Sequence, residues 1–174
     1  MLAFQAGEQA AFVSIVERYQ RRVYNYLLRC TGDPEAARDL LQATFERMIE
    51  AAPRWEPRSR LSTWVYTIAT NLARDRSRRA AGQPDTRAFH DGSTAAAGGT
   101  SPERAAARGQ LRADIVRAVR DLPAHEREAF VLGKYEGRSY DEIAQILGCS
   151  EGAVKVRVHR AMKRLQTALA EWIR

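Results

Sequence analysis

The sequence predicts an all-α protein of two small helical domains joined by a flexible linker, the second of them a helix-turn-helix domain. Three observations carry this expectation. Apolar residues recur every three or four positions along most of the chain, and nowhere do they alternate long enough to specify a strand. One stretch, residues 80–100, loses that period and fills with Gly, Pro, Ser and Thr, the composition of a flexible linker. A third, residues 139–165, reads as two helices joined by a tight Gly-Cys-Ser turn. The expected division is therefore 1–79, linker 80–100, and 101–174.

Composition sets the outer bounds. A chain of 174 residues can bury the cores of two small domains. It carries 28 Lys plus Arg against 21 Asp plus Glu, a net charge of +7, and a pI near 9.9. Such a balance favours a polyanionic partner. No apolar run approaches the roughly 18 residues that a membrane span needs, and the first residues do not resemble a secretory signal, so the expected location is cytoplasmic. Cys30 and Cys149 stand far apart, and His90, His125 and His159 form no metal-ligand spacing with them. Both cysteines are expected to be small buried residues, with no metal and no cofactor. There is also no paired-carboxylate site, phosphate-binding glycine loop or nucleophile with a neighbouring base, so no enzyme is expected.

The first helix is expected over residues 9–29, with Phe12, Ile15, Val16, Tyr19, Val23, Tyr26 and Leu27 inward and Glu17, Arg18, Arg21 and Arg22 outward. Gly32 suits its end, Asp33 the cap of the next helix and Pro34 that helix's first position. In the second helix, 34–50, Ala37, Leu41, Thr44, Phe45 and Met48 form the apolar stripe. Glu35, Asp39, Gln42, Glu46 and Glu50 line the other side. That face has the wrong sign for DNA: it either solubilises the helix or meets a basic protein surface.

Residues 51–60 form a loop holding Trp55, Arg58 and Arg60. Ser62 can cap a helix running to residue 79. Its core side is Trp64, Val65, Ile68 and Leu72, and Tyr66, Thr67, Thr70, Asn71, Arg74 and Arg78 fall on its other arcs. The loop and the cluster Arg74, Arg76, Arg78 and Arg79 make a surface suited to unstacked bases or duplex. Past the linker, Ser101 and Pro102 repeat the cap-plus-proline signal, and Ile115, Val116, Val119 and Leu122 carry a helix to Pro123. A helix with Phe130, Val131 and Leu132 follows.

Ser139 and Glu142 then have capping-box spacing, Ile143, Ile146 and Leu147 give an apolar stripe, Gly148 can end the helix, and Ser150 can cap the next. That last helix turns Val154, Val158, Ala161, Met162, Leu165 and Leu169 to the core. Opposite stand Val156, His159, Arg160 and Lys163, flanked by Lys155 and Arg164. Arg and Lys read guanine edges in a major groove and an apolar group touches a thymine methyl, so this face suits DNA; alone, it could be an ordinary solvated face.

DLLQATF at 39–45, TWVYTIATNLARD at 63–75, Leu122-Pro123, and SYDEIAQILGCSEGAVKVRVHRA at 139–161 together resemble the bacterial RNA polymerase sigma factors of the extracytoplasmic-function group. The resemblance covers both domains in order. It implies a first domain that binds the minus-ten promoter element and the clamp of core RNA polymerase, and a second that binds the minus-thirty-five element. By position, Asp39, Gln42 and Glu46 would contact the clamp. The loop with Trp55, Arg58 and Arg60 would hold an extruded base, and Asn71 with Thr67, Thr70, Arg74 and Arg78 would lie near the melted strand. Lys155, Val156, His159 and Arg160 would read upstream bases, with Arg157, Lys163 and Arg164 on phosphates or partners within the domain. Core RNA polymerase, promoter DNA and an anti-sigma factor are the implied partners. The chain departs from the family's pattern at Ala43, commonly acidic, and at Thr67 and Thr70, commonly basic. A standalone helix-turn-helix regulator with an N-terminal sensing or dimerisation domain would explain residues 101–174 equally well, but not the acidic helix beside an Arg-Trp loop.

Overall fold

The fold described here is a computed structural model covering residues 1–80 and 102–173; the linker residues 81–100 and the Ser101 cap lie outside the described residues. All its regular structure is helical. A short α1 (Leu2–Gln5) precedes α2 (Gln9–Thr31). Gln5 Nε2 donates to the carbonyls of Ala52 (2.7 Å) and Trp55 (2.8 Å), which ties the start of the chain to the loop after α3. No sequence period foretells α1, because its anchor lies about fifty residues away.

Gly32, at φ 72°, ends α2, and its N–H donates to the Leu28 carbonyl at 2.8 Å. A left-handed residue closes a helix in this way, and glycine adopts it without a Cβ clash. Asp33 then caps α3 (Pro34–Ala51), accepting from the N–H groups of Glu35 (2.9 Å) and Ala36 (3.2 Å). Ala36, Ala37, Leu40, Thr44 and Met48 are buried in α3. Leu41 and Phe45, expected on that stripe, are only half-buried. Both α2 and α4 pack on α3, so burial centres on the line between them, through Leu40, and the Phe45 ring is left edge-on to Phe12 at the periphery.

A 3₁₀ turn (Ala52–Arg54) and a loop lead to α4 (Leu61–Ala80). Ser62 lies inside the first turn of α4 and does not cap it, since the Arg60 carbonyl already takes the Trp64 N–H at 3.2 Å. The Ser62 hydroxyl instead accepts from Arg138 at 2.9 Å. Trp64, expected in the core, is half-buried beside Trp55, with ring centroids 5.9 Å apart.

The second run comprises α5 (Pro102–Arg120), α6 (Ala124–Lys134), α7 (Tyr140–Leu147), α8 (Glu151–Ala168) and α9 (Ala170–Ile173). Buried apolar residues of both runs, among them Val23, Tyr26, Leu27, Val65, Leu132, Ile143, Val154 and Ala161, form one continuous cluster. α4 packs on α7, and α2 on α6. Two buried carboxylates, Glu126 and Glu128, were not expected; they are 2% and 6% exposed. Each has a guanidinium, as a buried charge requires: Arg164 donates to Glu126 at 3.0 Å and Arg74 to Glu128 at 2.7 Å. Cys30 and Cys149 are half-buried, not fully buried, because one ends a helix and the other sits in a turn. Enclosure of the Cys30 sulfur still pushes its thiol up to about 12, so it remains protonated.

Candidate nucleic-acid interface

The helix-turn-helix is built by local chemistry. Ser139 Oγ accepts from the Glu142 N–H at 3.2 Å, and the Glu142 carboxylate accepts from the Ser139 N–H at 3.0 Å, which completes the capping box at the start of α7. That backbone donor, with Arg138 and Arg60 nearby, holds the Glu142 carboxyl below its ordinary range. Gly148, at φ 64°, ends α7, and Ser150 Oγ accepts from the Ala153 N–H at 3.2 Å to start α8. Val154, Val158, Ala161 and Leu165 seat α8 on the core.

Seating α8 by these four residues fixes what it presents. Lys155, Val156, His159, Arg160 and Lys163 are exposed. Val156 is 48% exposed, although it is apolar. Arg157 is half-buried. Arg164 is exposed but bonded to Glu126, which fixes its guanidinium within the second run.

The predicted strand-contact residues are less uniform. Thr70 is fully buried, and its hydroxyl shares a 2.7 Å hydrogen bond with the Tyr26 hydroxyl. Its expected place near a melted strand is therefore corrected: Thr70 is a core residue, because the arc of α4 that carries it faces α2. Thr67 is half-buried and donates to the Thr63 carbonyl of its own helix at 2.8 Å. Trp55 is half-buried. Arg74 reaches away from the solvated face: its Nε and Nη2 donate to Glu128 at 2.7–3.1 Å, and its Nη1 to the Leu147 carbonyl at 3.4 Å. These charge-assisted bonds raise the guanidinium above its already high ordinary range. Asn71, Arg78, Arg58 and Arg60 are exposed. Arg78 pairs with Asp75, Arg58 with Glu56 at 2.7 Å, and Arg60 with Glu142 at 3.2 Å. Exposed pairs of this kind are worth at most about 1 kcal/mol and yield readily to phosphate.

On α3, Asp39, Gln42 and Glu46 are exposed along one face, with Gln42 Nε2 donating to Glu46 at 2.8 Å. Ile49, 47% exposed, continues the same face at helical spacing from Gln42 and Glu46. Sequence periodicity passed over it, since an isoleucine at such a position reads as part of a broad core stripe. Among the described residues no cluster of His, Cys, Asp or Glu could hold a metal ion, and no helix is long and apolar enough to cross a membrane.

Comparison with known proteins gives this geometry a lineage. Residues 15–83 match the family described as Sigma-70 region 2, and residues 112–165 the family described as Sigma-70, region 4. RNA polymerase sigma factor CarQ of Myxococcus xanthus is 37% identical over 98% of this chain and 96% of its own length. ECF RNA polymerase sigma factor SigW of Bacillus subtilis is 32% identical over 95% and 92%. Among solved structures, the sigma factor RpoE in complex with the anti-sigma factor NepR from Bartonella quintana shares 26% identity, covering 92% of this chain and 97% of that one at a TM-score of 0.71. CnrH in complex with the cytosolic domain of CnrY shares 26%, covering 96% and 92% at 0.72. The region 2 match lies over the first run of helices, where a standalone regulator would carry a sensing or dimerisation domain, and that alternative is not favoured. With both regions in order and relatives matched nearly end to end, the chain belongs to the extracytoplasmic-function group of the sigma-70 family of RNA polymerase sigma factors.

Proposed function

We propose that this sigma factor divides its work between residues 1–79 and 101–174, joined by the linker 80–100. The α3 face of Asp39, Gln42, Glu46 and Ile49 grips core RNA polymerase. Its acidic groups set the approach to a basic surface, and Ile49 supplies an apolar contact that excludes water at the centre. Asn71 and Arg78 of α4, with Trp55, Arg58 and Arg60 of the preceding loop, hold the melted minus-ten strand. Lys155, Val156, His159 and Arg160 of α8 read the minus-thirty-five bases in the major groove, and Lys163 and Arg157 contact phosphates. The factor works in the cytoplasm and catalyses nothing itself; the polymerase it directs carries out the chemistry. An anti-sigma factor is a further partner, as in the two solved complexes.

The observation that carries this reading is the pairing of opposite signs on two separate helices. An exposed, mostly basic face lies on α8, and an acidic face with one exposed apolar side chain lies on α3. A DNA-binding protein that needed only DNA would gain nothing from the second. The test is transcription by core polymerase reconstituted with the factor, on promoters selected by that holoenzyme. The reading expects factor-dependent transcripts that Asp39→Arg abolishes through loss of polymerase binding while the variant stays folded. Tight, spacing-specific binding of promoter duplex by the factor alone would count against it.

A further inference from the structure

We infer that Gln5 is a positioning residue for the base-holding loop: the short helix α1 braces the turn from which Trp55, Arg58 and Arg60 depart. The inference rests on the reading of that loop as the holder of the melted minus-ten strand.

The loop has little structure of its own. Residues 56–60 are all exposed, and Pro57 has no N–H to donate. Within the loop the backbone closes one short turn, the Arg58 N–H onto the Glu56 carbonyl at 2.8 Å. Trp55 is the last half-buried side chain before this exposed run, so the direction in which the loop leaves α3 is set at the 3₁₀ turn behind it. Gln5 holds that turn from outside. Its amide nitrogen carries two hydrogens, and they go to the carbonyl at the start of the turn, Ala52, and to the one at its exit, Trp55. Ala52 is 3% exposed and set in the core, and its carbonyl also accepts from the Trp55 N–H at 3.0 Å. The fork therefore ties the Trp55 peptide to a fixed point. The Trp55 ring is kept beside Trp64, and the chain beyond is aimed outward with Arg58 and Arg60 in solvent.

α1 is itself seated by local chemistry. The chain reverses after it at Gly7, φ 97°, where the Glu8 N–H donates to the Ala3 carbonyl and the Gly7 N–H to the Phe4 carbonyl, both at 3.0 Å. That pair of bonds around a residue of positive φ is the Schellman stop, which glycine alone adopts without strain. The turn lays Phe4 against Phe12, with ring centroids 4.9 Å apart, and Phe12 meets Phe45 of α3 edge-on at 6.3 Å. An aromatic ladder thus carries α1 across α2 to the helix whose end it braces. Gln5 is exposed, so its two bonds add little to global stability and act instead on the local freedom of the turn. α1 also precedes the residues matched to region 2, 15–83, so the brace is applied to that region from outside it.

The test uses the full chain with two variants, Gln5→Leu, which keeps the bulk and removes the donors, and Gln5→Ala, which removes both. Hydrogen–deuterium exchange is followed along the free protein. The reconstituted holoenzyme is then titrated with a fluorescein-labelled single strand carrying the minus-ten element of a promoter it selects, and with the upstream-element duplex. Both variants should exchange faster at residues 52–60 than the parent, and bind the strand about threefold or more weakly, the scale of a lost hydrogen bond. Affinities for core polymerase and for the duplex should stay at the parent's values. Variants that exchange and bind like the parent overturn the brace and leave the loop reading standing. Faster exchange with unchanged strand affinity overturns the positioning role, and so do equal losses for strand, duplex and polymerase, which mark a general structural role. A loss in Gln5→Ala alone belongs to the missing bulk and overturns the part given to the donors. Trp55→Ala and Arg58→Ala test the loop itself: if neither weakens strand binding, the loop reading fails and the inference falls with it.

Discussion

Arg160 and Lys163 stand almost one turn apart on α8, both exposed, yet their tasks differ. Arg160 sits at the middle of α8, almost one turn nearer the N-terminus that enters a groove than Lys163 is, so Arg160→Ala should cost about 1–3 kcal/mol and relax the preference at one upstream base. Lys163→Ala should weaken binding to all sequences alike and lower the salt slope by about 1. Holoenzyme affinity for a panel of upstream-element duplexes across salt concentrations separates the two. Thr70 and Asn71 offer a second contrast between adjacent positions. Thr70→Ala leaves the buried Tyr26 hydroxyl without its partner and should cost about 1–3 kcal/mol of stability, read from a urea midpoint. Asn71→Ala should leave that midpoint unchanged and slow open-complex formation, because Asn71 faces solvent. The sequence placed both on the same polar arcs; which of them α2 covers depends on how two helices meet.

At the scale of the element, α7 and α3 make the clearest predictions. Ser139→Ala removes one side of the capping box and should cost about 1 kcal/mol. Glu142 adds a pH dependence whose sign follows from its lowered carboxyl. A group ionised more readily when folded stabilises the protein above its unfolded value, about 4.3, and loses that contribution as pH falls through the folded one. The stability gap between the parent and Glu142→Gln should therefore be full above about pH 5 and close on acidification below about 4, as denaturation midpoints at stepped pH would record. For α3, Asp39→Arg and Ile49→Ala should each weaken capture by core polymerase without moving the melting temperature, since both side chains are exposed. Ser62, also expected to cap, lies inside α4 instead. The caps at Asp33, Ser139 and Ser150, the helix ends at Gly32 and Gly148 and the sign of each face were legible in the sequence, because a cap needs only neighbours three residues away and a face needs only helical spacing. Ile49 was not, since an apolar residue at the edge of a stripe is buried or exposed according to the helix beside it.

For the molecule as a whole, affinity is a matter of linkage. On the proposed division, a linker of about 21 residues would span at most roughly 70–75 Å and impose no spacing of its own, which would leave the polymerase to set the distance between promoter elements. Promoter affinity of the free factor should be low and steeply salt-dependent, and should rise strongly with core enzyme, which titration at two salt concentrations would test.

By itself the sequence determined an all-helical chain with a capped helix-turn-helix, a basic face on one helix and an acidic face on another. Each of those follows from hydrogen bonds and periodicities that act within a few residues. Only the tertiary structure decided that Thr70 belongs to the core, that Ile49 stays in water, and that Arg74 spends its charge on Glu128, a residue 54 positions away. Burial and ion pairing depend on which surfaces meet. Distant residues such as these are brought together by the packing of the whole chain, and no local pattern encodes it.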